Sequence, residues 1–179
     1  MIKRNLGLYD CKRNDCTHFM SMDSDELYNK EQFKMVRNTV VEGDFDSSAC
    51  QLVTYYKSAE YRLDPKEEYY VSLIFKIRPG TEFVFGHPFP AMVDPTRRML
   101  PGNCKIFTRE EIEMHHFSYV RKDLNIKLTN SSASPNFKNI NKIVTYFNKW
   151  TPGQKALMGG APDKFYNTVK VENKFNVKI

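Results

Sequence analysis

The chain has 179 residues, room for one domain or one domain with a small appendage, and 41% of them are hydrophobic and 13% aromatic, which excludes global disorder. No apolar run approaches the roughly eighteen residues that a transmembrane helix needs. The net charge of +6 is uneven: residues 1–60 carry −2, residues 61–120 are neutral and residues 121–179 carry +8. The last third is therefore expected to favour an anionic neighbour, such as a diphosphate or an anionic membrane face.

Ile2, Leu6 and Tyr9 recur at helical spacing, so the segment from Ile2 to about Lys12 is predicted to be helical. "NDCTHFMSM" reads as a turn and then a buried strand ending at Met22. Asn29 and Gln32 stand in capping-box register, Phe33, Val36 and Val40 share a helix face, and Gly43 suits the stop. "ACQLVTYYK" and "YYVSLIFKI" are strand candidates, with the polar, Pro-interrupted "SAEYRLDPKEE" between them as loop. "RPGTEFVFG" reads as a turn with a short strand, and "HPFPAMVDPTRRMLPGN" carries too many prolines to be regular for long.

Residues 112–120 alternate as a strand, a helix follows from about Lys122 to Leu128, and a second spans Ile140 to Trp150. Thr151-Pro152-Gly153 ends that helix, and the remainder reads as a turn and one terminal strand. The basic last third interleaves aromatics with lysines, as helix cores also do. It carries no nucleic-acid motif, so nucleic acid is not expected as a partner. The four cysteines form no CxxC pair, are read as reduced buried thiols, and give no motive for a Cys11–Cys16 disulfide. The basic N-terminus lacks the apolar core of an export signal, and a cytoplasmic location, with membrane association through 121–179 as an option, is expected.

The strongest chemical signal is "FMSMDSDELY". With the helix cap placed at Asn29, Asp23 and Asp25 lie in a strand-to-helix loop, free of capping duty. Two carboxylates in an Asp-x-Asp arrangement can hold a hard divalent cation that keeps its other positions for water and phosphate. Read alone, they are equally a solvated loop. His115 and His116 lie far away in a strand of their own. Neighbours in a strand face opposite ways, so at most one of the two is expected to face such a site.

"KRNLGLYDCKRNDCTHFMSMDSDEL" resembles the centre of family-2-like glycosyltransferases with the A-type nucleotide-diphospho-sugar fold. In that family an R-N-x-G-L helix precedes a strand ending in D-x-D. Arg4, Asn5, Gly7 and Leu8 match the helix, and Asp23, Ser24 and Asp25 match the motif. "HHFSYVR", with His116 to Arg121, resembles a segment near the end of the catalytic domain. The resemblance covers roughly residues 1–125. It implies an α/β fold with a partial A-type sheet flanked by helices, and residues 126–179 as a basic, helix-containing C-terminal extension. It also implies that Asp23 and Asp25 hold Mn²⁺ or Mg²⁺, with His116 as the third ligand and His115 as the alternative, and that the metal holds the sugar-nucleotide diphosphate. The family's nucleotide-binding strand–helix–strand half would precede residue 23 at greater length than this chain has, so completion by that half is expected.

The function expected is transfer of a sugar, with inversion, from a nucleoside-diphosphate sugar to a hydroxyl of a glycan, a lipid-linked or a protein acceptor. Such transfer needs a base for the acceptor proton. Asp94 is the candidate, with a turn role before Pro95 as its structural alternative. Glu110 and Glu111 are weaker candidates, since Thr108-x-x-Glu111 already makes sense as a local capping box. Arg121, and also Arg97 and Arg98, could pair with phosphate, ion pairs being equally open to the last two. Rival readings are a glycosyltransferase-like binding domain without catalysis, a strand-end phosphotransferase or phosphatase in which the first Asp is the nucleophile, and a basic module on an anionic surface.

Overall fold

The computed structural model describes residues 2–84, 89–94, 97–99, 102–131, 139–159 and 163–178. Among these residues the chain is a mixed α/β fold with four helices and mostly antiparallel strand pairs. The elements run α1 (Ile2–Arg13), β1 (His18–Phe19), β2 (Glu26–Leu27), α2 (Lys30–Glu42), β3 (Ser47–Tyr56), β4 (Ser58–Asp64) and β5 (Tyr70–Lys76). They continue with β6 (Cys104–Ile106), β7 (Glu113–Tyr119), α3 (Leu124–Asn130), α4 (Ile140–Lys149), β8 (Ala156–Met158) and β9 (Lys164–Lys170). No helix among the described residues is long and apolar enough to cross a membrane.

The chain divides into two compact units, and the division cuts the D-x-D motif after Ser24. One unit comprises Met1–Ser24, Tyr28–Leu52 and Glu68–Met114; the other comprises Asp25–Leu27, Val53–Glu67 and His115–Ile179. Residues 126–179 lie wholly in the second.

In the first unit β5 pairs antiparallel with β1 (Phe19 opposite Phe75) and with β3 (Cys50 opposite Val71), while β6 runs parallel to β3. The helix α2 is capped as expected: Asn29 accepts from the Glu31 and Gln32 amides at 3.0 and 3.1 Å. Its apolar face buries Val36 and Val40 against Cys50, Leu52, Val71, Leu73 and Met114. Each such side chain contributes roughly 1.5–3 kcal/mol by leaving water. Gly43 ends α2, though without a left-handed backbone; its φ is −79° and Asp44 takes the positive value, 51°. Glycine is needed there for space, since a Cβ would stand 2.5 Å from the Phe45 ring. On a second cluster, α1 seats Leu8 among Phe75, Phe83 and Met99.

In the second unit β4 lies between β3 and β9, and β9 pairs onward with β8. The helix α4, capped by Asn139, buries Ile143 and Phe147 beside Trp150, Tyr56, Leu63, Tyr119 and Leu128. A smaller cluster joins Val53, Tyr55, Ala59 and Phe117 to Val171 and Phe175. Two short segments meet here that the sequence separates widely: β2 pairs antiparallel with β7, Glu26 opposite His116 and Leu27 opposite His115.

Several expectations need correction. The strand expected through Met22 is two residues long and only half-buried, because Phe19 and Met20 turn inward while Met22 is 57% exposed. The segment expected as loop from Ser58 is strand β4, held by hydrogen-bonded neighbours on both sides and stopped at Pro65. The helix after β7 starts later than expected, because Asp123 caps it through the Asn125 and Ile126 amides. The C-terminal segment adds the β8–β9 pair to its helices. Residues 78–84 turn without forming a strand, and the rest of that expected strand, with part of the loop expected at 87–103, lies outside the described residues. The Thr108–Glu111 capping box closes in both directions, at 2.7 and 3.4 Å, on a turn.

Candidate functional site

Arg4, Asn5 and Leu8 of the "RNxGL" helix have identifiable duties in the first unit; nothing in the structure requires glycine at Gly7. Arg4 donates from Nε to the Ser21 hydroxyl at 2.8 Å and reaches Asp23 at 3.5 Å. The Asn5 amide donates to the Phe83 carbonyl and accepts from the Phe83 amide, at 3.1 and 2.7 Å. A Cβ at Gly7 would lie 3.7 Å from the Phe19 ring, in ordinary contact, and Leu8 is core. The helix therefore holds the strand-end segment that leads into Asp23.

Asp23 is met from the other side by Arg97, whose Nη2 donates to it at 2.7 Å. Arg97 is 3% exposed, so its charge requires partners to offset desolvation. It also donates to the Ser21 carbonyl at 3.3 Å and stands 3.6 Å from the Asp94 carboxylate. The structure thus brings together two nominated residues, the metal-ligand candidate Asp23 and the base candidate Asp94, on one buried guanidinium. Burial, followed by the Asp94 charge, pushes the nearby Tyr69 phenol up to about 12. Arg97 was open to either a phosphate or an ion-pair role; in the structure it makes the ion pairs. Arg98 donates to the Val93 carbonyl.

The second unit assembles a different group around Asp25. The β2–β7 ladder fixes it: the Phe117 amide donates to the Asp25 carbonyl at 2.7 Å, next to the Glu26–His116 pair. Arg121, just beyond the end of β7, donates from Nη2 to Asp25 Oδ2 at 2.9 Å. Lys127, on α3, donates to the same oxygen at 3.0 Å. The Asp25 side chain is 13% exposed. Burial alone would raise its pKa. The Lys127 hydrogen bond and the charges of Lys127, His116 and Arg121 outweigh that and hold the carboxyl below the usual range. Asp25, His116 and Arg121 therefore come together as one electrostatic cluster, to which Lys127 is an addition no sequence pattern announced.

His115 has other surroundings. Its Nδ1 is 2.9 Å from the Tyr55 hydroxyl, and its ring lies 4.7 Å from that of Phe175. The next ring in the segment, Phe117, stacks on Tyr55 at 4.5 Å. Tyr119 stacks on Tyr56, and its hydroxyl accepts from the Gly159 amide at 3.4 Å. Much of "HHFSYVR" is thus packing, from which His116 and Arg121 stand out by their company.

Among the described residues no group of three or more His, Cys, Asp and Glu is arranged to hold a metal ion. Were Asp25 and His116 to hold an Mn²⁺- or Mg²⁺-like ion, water and phosphate oxygens would have to supply the rest of its shell. Arg121 and Lys127 would then have to surrender the shared oxygen or move to the incoming phosphate. Compared with known proteins, the chain matches no family model, no curated protein and no solved structure.

Proposed function

We propose that the cluster of Asp25, His116, Arg121 and Lys127 is the diphosphate-binding part of a glycosyltransferase of the family-2-like, A-type kind. The observation that supports this most is the β2–β7 register, which seats the second carboxylate of the D-x-D motif beside His116 and Arg121 from a segment 96 residues away. In this reading Arg121 and Lys127 pass from Asp25 to the phosphate oxygens of a nucleoside-diphosphate sugar. A planar guanidinium suits two of those oxygens at once. Asp25 and His116 would hold Mn²⁺ or Mg²⁺, which stabilises the charge of the departing diphosphate. Asp94 is proposed as the base for the acceptor hydroxyl of a glycan, lipid-linked or protein acceptor. The basic residues of 121–179 would favour an anionic membrane face carrying it.

The test is thermal unfolding with Mn²⁺ and with a nucleoside diphosphate, singly and together. The two together should raise the melting temperature more than either alone. Asp25→Asn and His116→Ala should lose the metal's share, and Arg121→Gln the diphosphate's share. Equal shifts in all four proteins would contradict the assignment. A second reading, a glycosyltransferase-like binding domain without turnover, draws on Arg97, which ties Asp23 and Asp94 into ion pairs. Binding of a nucleoside-diphosphate sugar without sugar transfer would favour it.

A further inference from the structure

The helix α1 ends in a turn that places two thiols side by side. Asp15 has a left-handed backbone, φ 53°, and the Cys16 amide donates to the Cys11 carbonyl at 3.0 Å. That six-to-one bond across a left-handed residue is the helix-ending Schellman arrangement. It brings the side chain three positions before the cap against the one two positions after it. In most proteins these two are apolar and simply pack. Here they are Cys11 and Cys16, the latter's thiol 3.9 Å from the Asn14 carbonyl at the same turn. Cys16 is exposed and lines an open cleft with Lys12, Thr17 and Arg78, whereas Cys11 is half-buried. Of the four cysteines Cys50 alone is buried, so the sequence's reading of all four as buried thiols fails at Cys11, Cys16 and Cys104.

We propose that Cys11 and Cys16 form a reversible dithiol–disulfide site that exchanges with low-molecular-weight disulfides of the glutathione type. The exposed Cys16, as thiolate, attacks one sulfur of the small disulfide, forming a mixed disulfide and releasing one small thiol. Cys11 then loses its proton and attacks the Cys16 sulfur, expelling the second small thiol and closing the Cys11–Cys16 bond. Two protein thiols are oxidised and one small disulfide is reduced to two thiols, so electrons and protons balance. Burial, followed by the neighbouring Cys16, raises the Cys11 thiol above its ordinary value. That fits the order of steps, because Cys11 is the poorer first nucleophile and acts only once the mixed disulfide is in contact with it. The backbone turn at the end of α1 sets the two residues next to each other for the closing step. The site is independent of the reading given for Asp25.

The experiment incubates the folded, reduced chain with excess oxidised glutathione, alkylates the remaining thiols without denaturant and maps the peptides by mass spectrometry. The expected product has Cys11 linked to Cys16 with loss of two hydrogens, no retained glutathione at either, unmodified Cys50, and full reversal by dithiothreitol. In the Cys11→Ser variant Cys16 should instead keep the glutathione adduct. Separate stable adducts on Cys11 and Cys16 in the wild-type chain, or a Cys16 adduct that persists while Cys11 stays alkylatable, would overturn the proposal. So would complete resistance of both thiols.

Discussion

Replacing Asp25 by Asn removes the one carboxylate on which Arg121 and Lys127 converge. A charge-assisted hydrogen bond contributes about 1.5–3 kcal/mol, and two are lost. Both cations are close to 30% exposed, so water recovers much of their solvation and each bond counts for less than in a dry interior. The net cost should be roughly 2 kcal/mol at neutral pH, well short of the 3–5 kcal/mol typical when a fully buried pair is broken. Trp150 is the sole tryptophan and sits in the core of the same unit, so its fluorescence during urea unfolding reports on the right part of the chain. The cost should also depend on pH. The folded protein binds the Asp25 proton less tightly than the unfolded chain does. Its contribution is therefore fully present above the ordinary carboxylate value of about 4 and is lost as pH falls through the lower folded value. Other acids titrate in both proteins and largely cancel in the difference. A wild-type-like midpoint for Asp25→Asn at neutral pH, or a deficit that persists undiminished in acid, would refute the reasoning.

Arg97→Ala should cost about 2 kcal/mol by far-UV circular dichroism during denaturant unfolding, because Asp23 and Asp94 lose their shared cation but are 54% and 30% exposed and Asp23 keeps Arg4. Asn29→Ala should lower stability by about 1 kcal/mol in the same assay, through loss of the α2 cap. Asp94→Asn should move the Tyr69 phenol down from about 12, since the carboxylate charge helps hold it there. Carbon-13 NMR of labelled tyrosine rings would follow that titration, and an unmoved Tyr69 would count against the proximity.

What the sequence disclosed and what it withheld divide along the line between local and distant interactions. Helices α2 and α4 were readable because the Asn29 cap of the one, the Thr151-Pro152-Gly153 stop of the other and the apolar spacing of both are set within a dozen residues. Strands β3 and β5 were readable from β-branched and aromatic runs, and β7 from its alternation. Strand β4 was not, because Glu60, Arg62 and Asp64 are polar and only Ala59 and Leu63 are fully buried. Its order comes from pairing on both edges, which composition does not encode. The site shows the same contrast. Asp23, Asp25, His116 and Arg121 could be nominated from short motifs; which cation meets which carboxylate could not. Lys127 lies 102 residues from Asp25, and Arg97 lies 74 from Asp23. Nothing in the spacing of charges indicated that Arg97 would be buried or that it would gather two nominated carboxylates. The backbone turn that brings Cys16 to Cys11 was hidden for a different reason: it depends on the left-handed backbone of one residue, Asp15.

The most direct measurement of the central claim is calorimetric titration of the protein with a uridine- or guanosine-diphosphate sugar in the presence of Mn²⁺. The account expects saturable binding of at least one of them that requires the metal and is lost in both Asp25→Asn and Arg121→Gln. Absence of binding for both sugars at millimolar concentration, or binding that survives both substitutions, would contradict it.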